Sequence, residues 1–262
     1  MKLKDIWDLA KVRAKDNLYT LILIEIIIIM IIIGLETWKV NLVVLFPALP
    51  AALMLQISKQ LLMSVFWTGN IFACMMVAIG VEANVDYIFY VFESKSKGIL
   101  WLLLRKILMT NVYMILFSCS SYILNLTLYL DSLYLSLIEQ ILAVIVVELR
   151  YFPALYLLLD GEEQKCSPAV RRGISMMHGN YLRLIAFWLF FLPRLFIGLL
   201  FLVVGVLVVA PWVQVSLATF YMELKQQEKT NVELELTPKQ LEWWDAQTNT
   251  MRTIAGDRKS VV

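Results

Sequence analysis

Five ionisable side chains lie inside long apolar stretches of the sequence, where a charge is difficult to accommodate. An ionised side chain at the centre of a membrane span costs about 2.5–3.5 kcal/mol on insertion scales. Each therefore needs a polar partner or a water-filled cavity. The set predicts either a polar path or binding pocket within a helix bundle, or interhelical ion pairs and snorkelling that only fix packing. The five are Glu25, Glu139, Glu148, Arg150 and Arg194.

Glu148 and Arg150 are only two residues apart, so on a helix they point to opposite sides. They cannot neutralise each other, and each requires a partner on another helix or a wet cavity. Asn70, Asn111 and Asn125 could join either arrangement. Hydrogen bonding between helices is the more common role of such amides.

Catalytic and metal-binding motifs are missing from the sequence. His178 is the only histidine, which excludes zinc sites of the His-Glu-x-x-His type. A Ser-His-Asp arrangement would have to use this residue, which lies in a predicted surface helix. The three cysteines lack metal-ligand spacing, and no Gly-x-Ser-x-Gly motif or phosphate-binding glycine loop occurs. We therefore expect no cofactor and no enzymatic activity.

The composition is that of a chain solvated by lipid. Of the 262 residues 60% are hydrophobic, against about 45–50% in soluble domains, and the mean hydropathy is +0.74. Residues 18–35 carry one charge over about 27 Å of helix, close to a hydrocarbon core of roughly 30 Å. A backbone in lipid must satisfy its own hydrogen bonds, which favours helices. The sequence thus predicts an all-α, polytopic transmembrane helix bundle with interfacial amphipathic helices.

About six spans fit the apolar pattern, after a basic amphipathic segment at 1–17 that we expect on the inner membrane surface. Residues 18–224 form the transmembrane domain. The predicted spans are 18–35, 61–80, 107–126, 133–159, 181–200 and 204–224. Residues 41–57 are interpreted as re-entrant or interfacial, because Pro47 and Pro50 break a regular helix.

Two further helices are predicted outside the spans. Residues 81–106 mix charged and aromatic side chains, which is typical of an inner surface helix leading into the third span. Residues 167–179 are predicted to form one short helix, with Ser167 as the cap, Pro168 at the first helical position and Gly179 at the end. Its role is either orientation alone, or contact with lipid phosphates or a cytosolic partner. Its candidate contacts are Arg171, Arg172 and His178.

The polar tail covers residues 225–262. Thr237–Gln240 forms a capping box with proline at the first helical position, which predicts a short helix at 238–247. That helix presents Trp243 and Trp244, which we expect to dock on the membrane surface or on a partner.

Lysine and arginine residues indicate the orientation. With the amino end inside, the inner segments hold eighteen of them and the outer segments only two, Lys39 and Lys59. Inner loops of membrane proteins carry this excess, so both termini are predicted to be cytoplasmic. The formal charge of +2 gives no reason to expect nucleic acid as a partner, whereas anionic lipid headgroups would attract the basic segments.

The order of several short motifs resembles that of the bacterial membrane family called domain of unknown function 975. The likeness covers roughly residues 60–225 and is strongest over 150–221. Pro193–Arg194 stands where the family usually has Gly-Trp, and Trp212 stands where it has tyrosine. The resemblance implies a bacterial membrane protein of six helices and no particular reaction. The residues that carry it are Asp86–Phe89, Phe92, Arg150–Tyr151, Tyr156, Leu159–Asp160, Gly179–Asn180, Arg183–Leu184, Pro211–Trp212 and Phe220–Tyr221.

Two functional hypotheses remain open. The first is a non-enzymatic membrane protein that moves a lipid-like or peptide-like amphiphile or protects the membrane from it, as immunity proteins do. Its support is the set of unpaired charges in the fourth and fifth predicted spans. The second is the permease subunit of an ATP-driven exporter, in which the helix around Arg171–Met177 couples to an ATPase partner subunit. This second hypothesis rests on architecture rather than on a site.

Overall fold

The computed structural model describes residues 3–45, 49–93, 97–128, 132–200 and 202–235. Within these ranges the chain is helical and contains no strand, which confirms the predicted all-α class. A 3-10 helix, Val85–Phe89, precedes the fourth α-helix. The α-helices are α1 (Leu3–Lys15), α2 (Leu18–Leu45), α3 (Leu49–Ile79), α4 (Tyr90–Glu93), α5 (Lys97–Leu128), α6 (Ser132–Leu159), α7 (Cys166–Met177), α8 (Tyr181–Leu200) and α9 (Leu202–Glu235).

Six of these helices are long and apolar enough to cross a membrane, judged by the length and composition of the described residues. The chain therefore has the architecture of a multi-pass membrane protein. The apolar segments are Leu18–Leu35, Met54–Ile79, Lys97–Cys119, Ile138–Leu159, Tyr181–Gly198 and Leu207–Thr230. By contact density the chain divides into two units, Met1–Tyr221 and Met222–Val262.

The described residues of the segment 41–57, predicted to be re-entrant or interfacial, belong to two long helices. Residues 41–45 are the end of α2, and residues 49–57 are the start of α3, while 46–48 lie outside the described ranges. Pro50 occupies the first turn of α3, where a missing N–H costs no helical hydrogen bond.

The sequence predicts one surface helix at 81–106, whereas the described residues of this range belong to three helices. Residues 85–93 form the 3-10 helix and α4, and α5 then begins at Lys97, ten residues before the predicted third span. Two glycines in α3 and α5 allow these helices to lie close to neighbouring backbone. A Cβ on Gly98 would lie 2.3 Å from Gln164 O, and one on Gly69 would lie 2.3 Å from Ile88 O.

The amphipathic helix α1 packs on the protein itself. Ile6, Ala10 and Ala14 are fully buried, and the Arg13 guanidinium donates to the Ala78 carbonyl near the end of α3. Asn17 Oδ1 accepts a hydrogen bond from Ala83 N at 2.8 Å. The apolar face predicted to lie on the membrane surface thus covers a groove of the bundle, because such a face is equally suited to lipid and to apolar side chains.

The short helix after α6 lies close to its predicted position but is capped differently. It begins at Cys166 with Lys165 as the cap residue, which makes no side-chain capping bond, so Ser167 is inside the first turn. Gly179, at φ +83°, follows its end. A Cβ on Gly173 would lie 2.9 Å from Ala154 N, so the glycine allows α7 to pack directly on the α6 backbone.

The sequence predicts the turn between the last two spans near residues 198–205, where Gly198 and Gly205 permit it. The structure places α8 up to Leu200 and α9 from Leu202, so both glycines are helical. A Cβ on Gly205 would lie 2.2 Å from Gly198 O. The glycines therefore allow the two helices to approach each other rather than forming the turn.

Candidate functional site

An ion pair joins α5 and α6 inside the bundle. Lys106 Nζ bonds Glu148 Oε1, and the two side chains remain 21% and 39% exposed. Along the helix axis, Lys106 lies about 14 Å from Lys97 at the start of α5, and Glu148 lies about 16 Å from Leu159 at the end of α6. Both charges are therefore near the middle of apolar segments, and Glu148 has the partner on another helix that its position requires.

The ion pair forms part of the wall of a cavity of about 370 Å³ bounded by α2, α3, α5 and α6. Gln60, Ser64, Thr68 and Thr110 add polar atoms to a lining that is otherwise mainly apolar. The three hydroxyl groups donate to backbone carbonyls of their own helices at 2.7–3.0 Å. The charged pair and Gln60 therefore carry the polar recognition that this pocket offers.

A second polar cluster surrounds Glu25, which is 4% exposed. Glu25 Oε1 accepts hydrogen bonds from Asn70 Nδ2 at 2.9 Å and from Gln214 Nε2 at 3.1 Å. The Cys74 thiol lies 3.6 Å from Gln214 Oε1 and 3.9 Å from Asn70 Oδ1. These contacts join α2, α3 and α9 through one buried carboxyl group, which satisfies the polar atoms and fixes helix register.

Two of the predicted residues lie away from both clusters. Glu139 Oε2 accepts a hydrogen bond from the Ser118 hydroxyl at 3.5 Å, while Glu139 Oε1 is buried without a partner among the described residues. Arg150 is exposed on the bundle surface and does not line the pocket. The five charges are thus distributed over separate places, and the structure does not bring them into one continuous path.

Arg194 lies among aromatic rings contributed by α1 and α8. Its Nη1 donates to Phe190 O at 2.6 Å. Its Cζ lies 3.9 Å from the ring centre of Phe190, 5.1 Å from that of Trp7 and 5.8 Å from that of Phe191. Cation–π attraction therefore takes the place of a carboxylate partner in the described structure.

Of the three surface contacts predicted around α7, two are exposed and one forms an ion pair within the protein. Arg171 and His178 are exposed, as their helical face predicts. Arg172 instead pairs with Glu162 at 2.8 Å and lies 3.8 Å from Glu163. Trp243 and Trp244 lie outside the described residues, as does the predicted helix 238–247.

The surroundings of Cys166 and Tyr90 raise the pKa of both side chains. Burial raises the pKa of the Cys166 thiol, and nearby Arg105 opposes this shift. Burial also raises the pKa of the Tyr90 hydroxyl, and the charge of Asp160 adds to it. Both groups therefore remain protonated at neutral pH, where a thiol in particular is a weak nucleophile.

Several residues that carry the family resemblance pack together at one end of α6. The rings of Tyr156 and Tyr221 stack at 5.0 Å, and the Tyr221 hydroxyl donates to Asp160 Oδ2 at 3.4 Å. Arg183 Cζ lies 5.5 Å from the ring centre of Phe220. These motifs thus have a structural role in holding α6, α8 and α9 together.

Sequence reasoning missed Lys106, Gln60 and Gln214. Lys106 was assigned to the surface segment because the third span was predicted to begin immediately after it. The sequence does contain a signal for an earlier start of this span. An apolar run begins at Gly98 and continues on both sides of Arg105 and Lys106. Gln60 and Gln214 are single amides in apolar runs, and nothing local distinguishes them from other amides.

Comparisons with protein-family models, curated proteins and solved structures found no significant match. The resemblance to the family called domain of unknown function 975 therefore stays a prediction.

Proposed function

We propose that this chain is a non-enzymatic, multi-pass protein of the bacterial cell membrane that binds a lipid-like or peptide-like amphiphile, for transport or immunity. Both termini face the cytoplasm in this proposal, where basic segments meet anionic headgroups. The observation that carries it is the Lys106–Glu148 ion pair on the wall of a mainly apolar cavity.

The exposure of the ion pair favours binding over packing alone. An ion pair that serves only to fix two helices is best shielded, whereas the Glu148 side chain is 39% exposed and lines the cavity. A zwitterionic head can meet both charges at once, and the apolar lining accommodates its chain. The volume of about 370 Å³ lies in the range of small-molecule sites, about 300–1,000 Å³.

Photolabelling tests this proposal. The full chain, reconstituted in phosphatidylcholine nanodiscs, is exposed to a lysophosphatidylethanolamine with a diazirine in its acyl chain. We expect labelled peptides from the pocket walls in α3, α5 and α6. The double variant Lys106→Met with Glu148→Met should lose about tenfold in labelling, since charge-assisted contacts to the head are removed while no unpaired charge is created.

The matched control is Glu82→Gln, which removes an exposed charge outside the apolar segments. It should label like the unmodified chain. Equal labelling of the pocket in the double variant, with the same thermal stability, would refute binding through the ion pair and leave a packing role.

The alternative is the permease subunit of an ATP-driven exporter. The observation that favours it is α7, which buries Gly173 against α6 and exposes Arg171 and His178. A helix held firmly on the bundle with a basic exposed face is suited to contact a cytosolic subunit. Co-purification of an ATPase with a tagged chain, lost in Arg171→Glu, is the expected result, and purification of the chain alone would contradict it.

A further inference from the structure

A second cavity, of about 560 Å³, lies where α1 meets α8 and α9. It shares no lining residue with the pocket beside Lys106. Its walls are apolar except for the guanidinium of Arg194 and the indoles of two tryptophans. The lining residues are Trp7, Arg194, Ile197, Gly198, Gly205, Val208, Val209 and Trp212.

Arg194 brings an uncompensated positive charge to this cavity. Among the described residues no carboxylate pairs with it, and its one hydrogen bond, from Nη1 to Phe190 O, leaves the other donors of the guanidinium available. Phe190 and Trp7 hold the group by cation–π contacts. A guanidinium fixed in this way presents its donor fork in one orientation, which suits a carboxylate or phosphate.

A second cation adds to the same preference. Lys11 Nζ lies 5.8 Å from the Trp212 ring centre and pairs with no described carboxylate. Two cations therefore lie together beside an apolar cavity.

We infer that this cavity binds an anionic lipid of the bilayer, with its carboxylate or phosphate head on Arg194 and its acyl chain along Ile197, Val208 and Val209. The bound head neutralises a charge that is costly within a span. An acidic peptide fits less well, since its backbone N–H and C=O groups would meet apolar walls without partners.

The test uses palmitate carrying a diazirine in its chain and, as a second probe, its methyl ester. Both are added to the full chain in phosphatidylcholine nanodiscs, at a pH where the acid is ionised. We expect the carboxylate to label peptides of α8 and α9 about tenfold more strongly than the ester, because only the anion makes charge-assisted bonds to the guanidinium. Arg194→Gln should remove this difference, and Arg194→Lys should retain part of it.

Two further variants make the outcome decisive. Arg150→Gln removes an exposed cation that lies in an apolar segment but not at the cavity, so it should label like the unmodified chain. Lys11→Gln changes an exposed position on α1 that contributes nothing to the core, so a several-fold loss of carboxylate labelling there cannot come from unfolding of α8. Equal labelling by acid and ester, or unchanged labelling in both Arg194→Gln and Lys11→Gln, would overturn the inference. Because the probe and the labelled helices differ from those at the Lys106–Glu148 pocket, the two proposals can fail separately.

Discussion

At the scale of single residues, burial in an apolar bundle makes hydrogen-bond partners decisive. Glu25 illustrates this, since its carboxyl group accepts from two amides on different helices. The sequence identified Glu25 and Asn70 as residues in need of partners, but not that they meet each other. Gln214 is 189 positions away from Glu25 along the chain, and only packing brings the two together.

Substitution of Glu25 tests whether this carboxyl group stabilises the bundle. Glu25→Leu leaves Asn70 Nδ2 and Gln214 Nε2 buried without an acceptor, which costs about 1–3 kcal/mol for each donor. Glu25→Gln retains an acceptor oxygen of nearly the same shape. We expect a thermal midpoint in detergent several degrees lower for Glu25→Leu than for Glu25→Gln. Equal midpoints for the two variants would show that the cluster contributes no net stability.

At the scale of elements, glycines decide where helices approach each other. Gly69 allows α3 to contact the 3-10 helix, and Gly173 allows α7 to contact α6. The sequence shows these glycines but not their neighbours. For this reason Gly198 and Gly205 were assigned to a turn, whereas they are helical positions of close contact.

Alanine scanning of the glycines separates these roles. Gly69→Ala places a methyl group 2.3 Å from Ile88 O, and Gly173→Ala places one 2.9 Å from Ala154 N, so backbone must move in each case. Gly34 is the matched control, because it is helical and an added Cβ meets nothing within 4 Å. We expect both contact variants to lower the thermal midpoint, with Gly69→Ala the larger effect. Gly34→Ala should be neutral or stabilising by up to about 1 kcal/mol. A midpoint for Gly69→Ala equal to that of Gly34→Ala would contradict the close approach.

At the scale of the whole molecule, the number of spans determines the sidedness of the termini. In the proposed topology the six apolar helices of the described residues each cross the membrane once, which returns the chain to the side on which it began. The structure shifts some basic residues relative to the sequence assignment, since Arg105 and Lys106 lie in the Lys97–Cys119 segment and Lys59 lies in the Met54–Ile79 segment. In the proposed topology most lysine and arginine residues outside the apolar segments still belong to the inner segments after these changes.

Topology can be measured directly with tags. A protease-cleavable tag at either terminus should be resistant to protease added outside intact cells and should be cleaved once the membrane is opened. We expect this result because the segments next to both termini are basic, and basic segments stay on the cytoplasmic side of the membrane. A tag placed between α5 and α6, around residue 130, is the internal control and should be cleaved from outside. Cleavage of only one terminal tag in intact cells would contradict an even number of spans.

The sequence by itself determined the class of this protein, because hydropathy is a local property. Long apolar runs can satisfy their backbone only as helices, and this fixed the all-α bundle and the six apolar segments without reference to packing. Helix contacts are not local. Lys106 was assigned to the membrane surface, Arg150 was expected inside the bundle, and α1 was expected on lipid. Only the tertiary structure gives the surroundings of these three, because the neighbours of a side chain depend on how helices distant in sequence pack together.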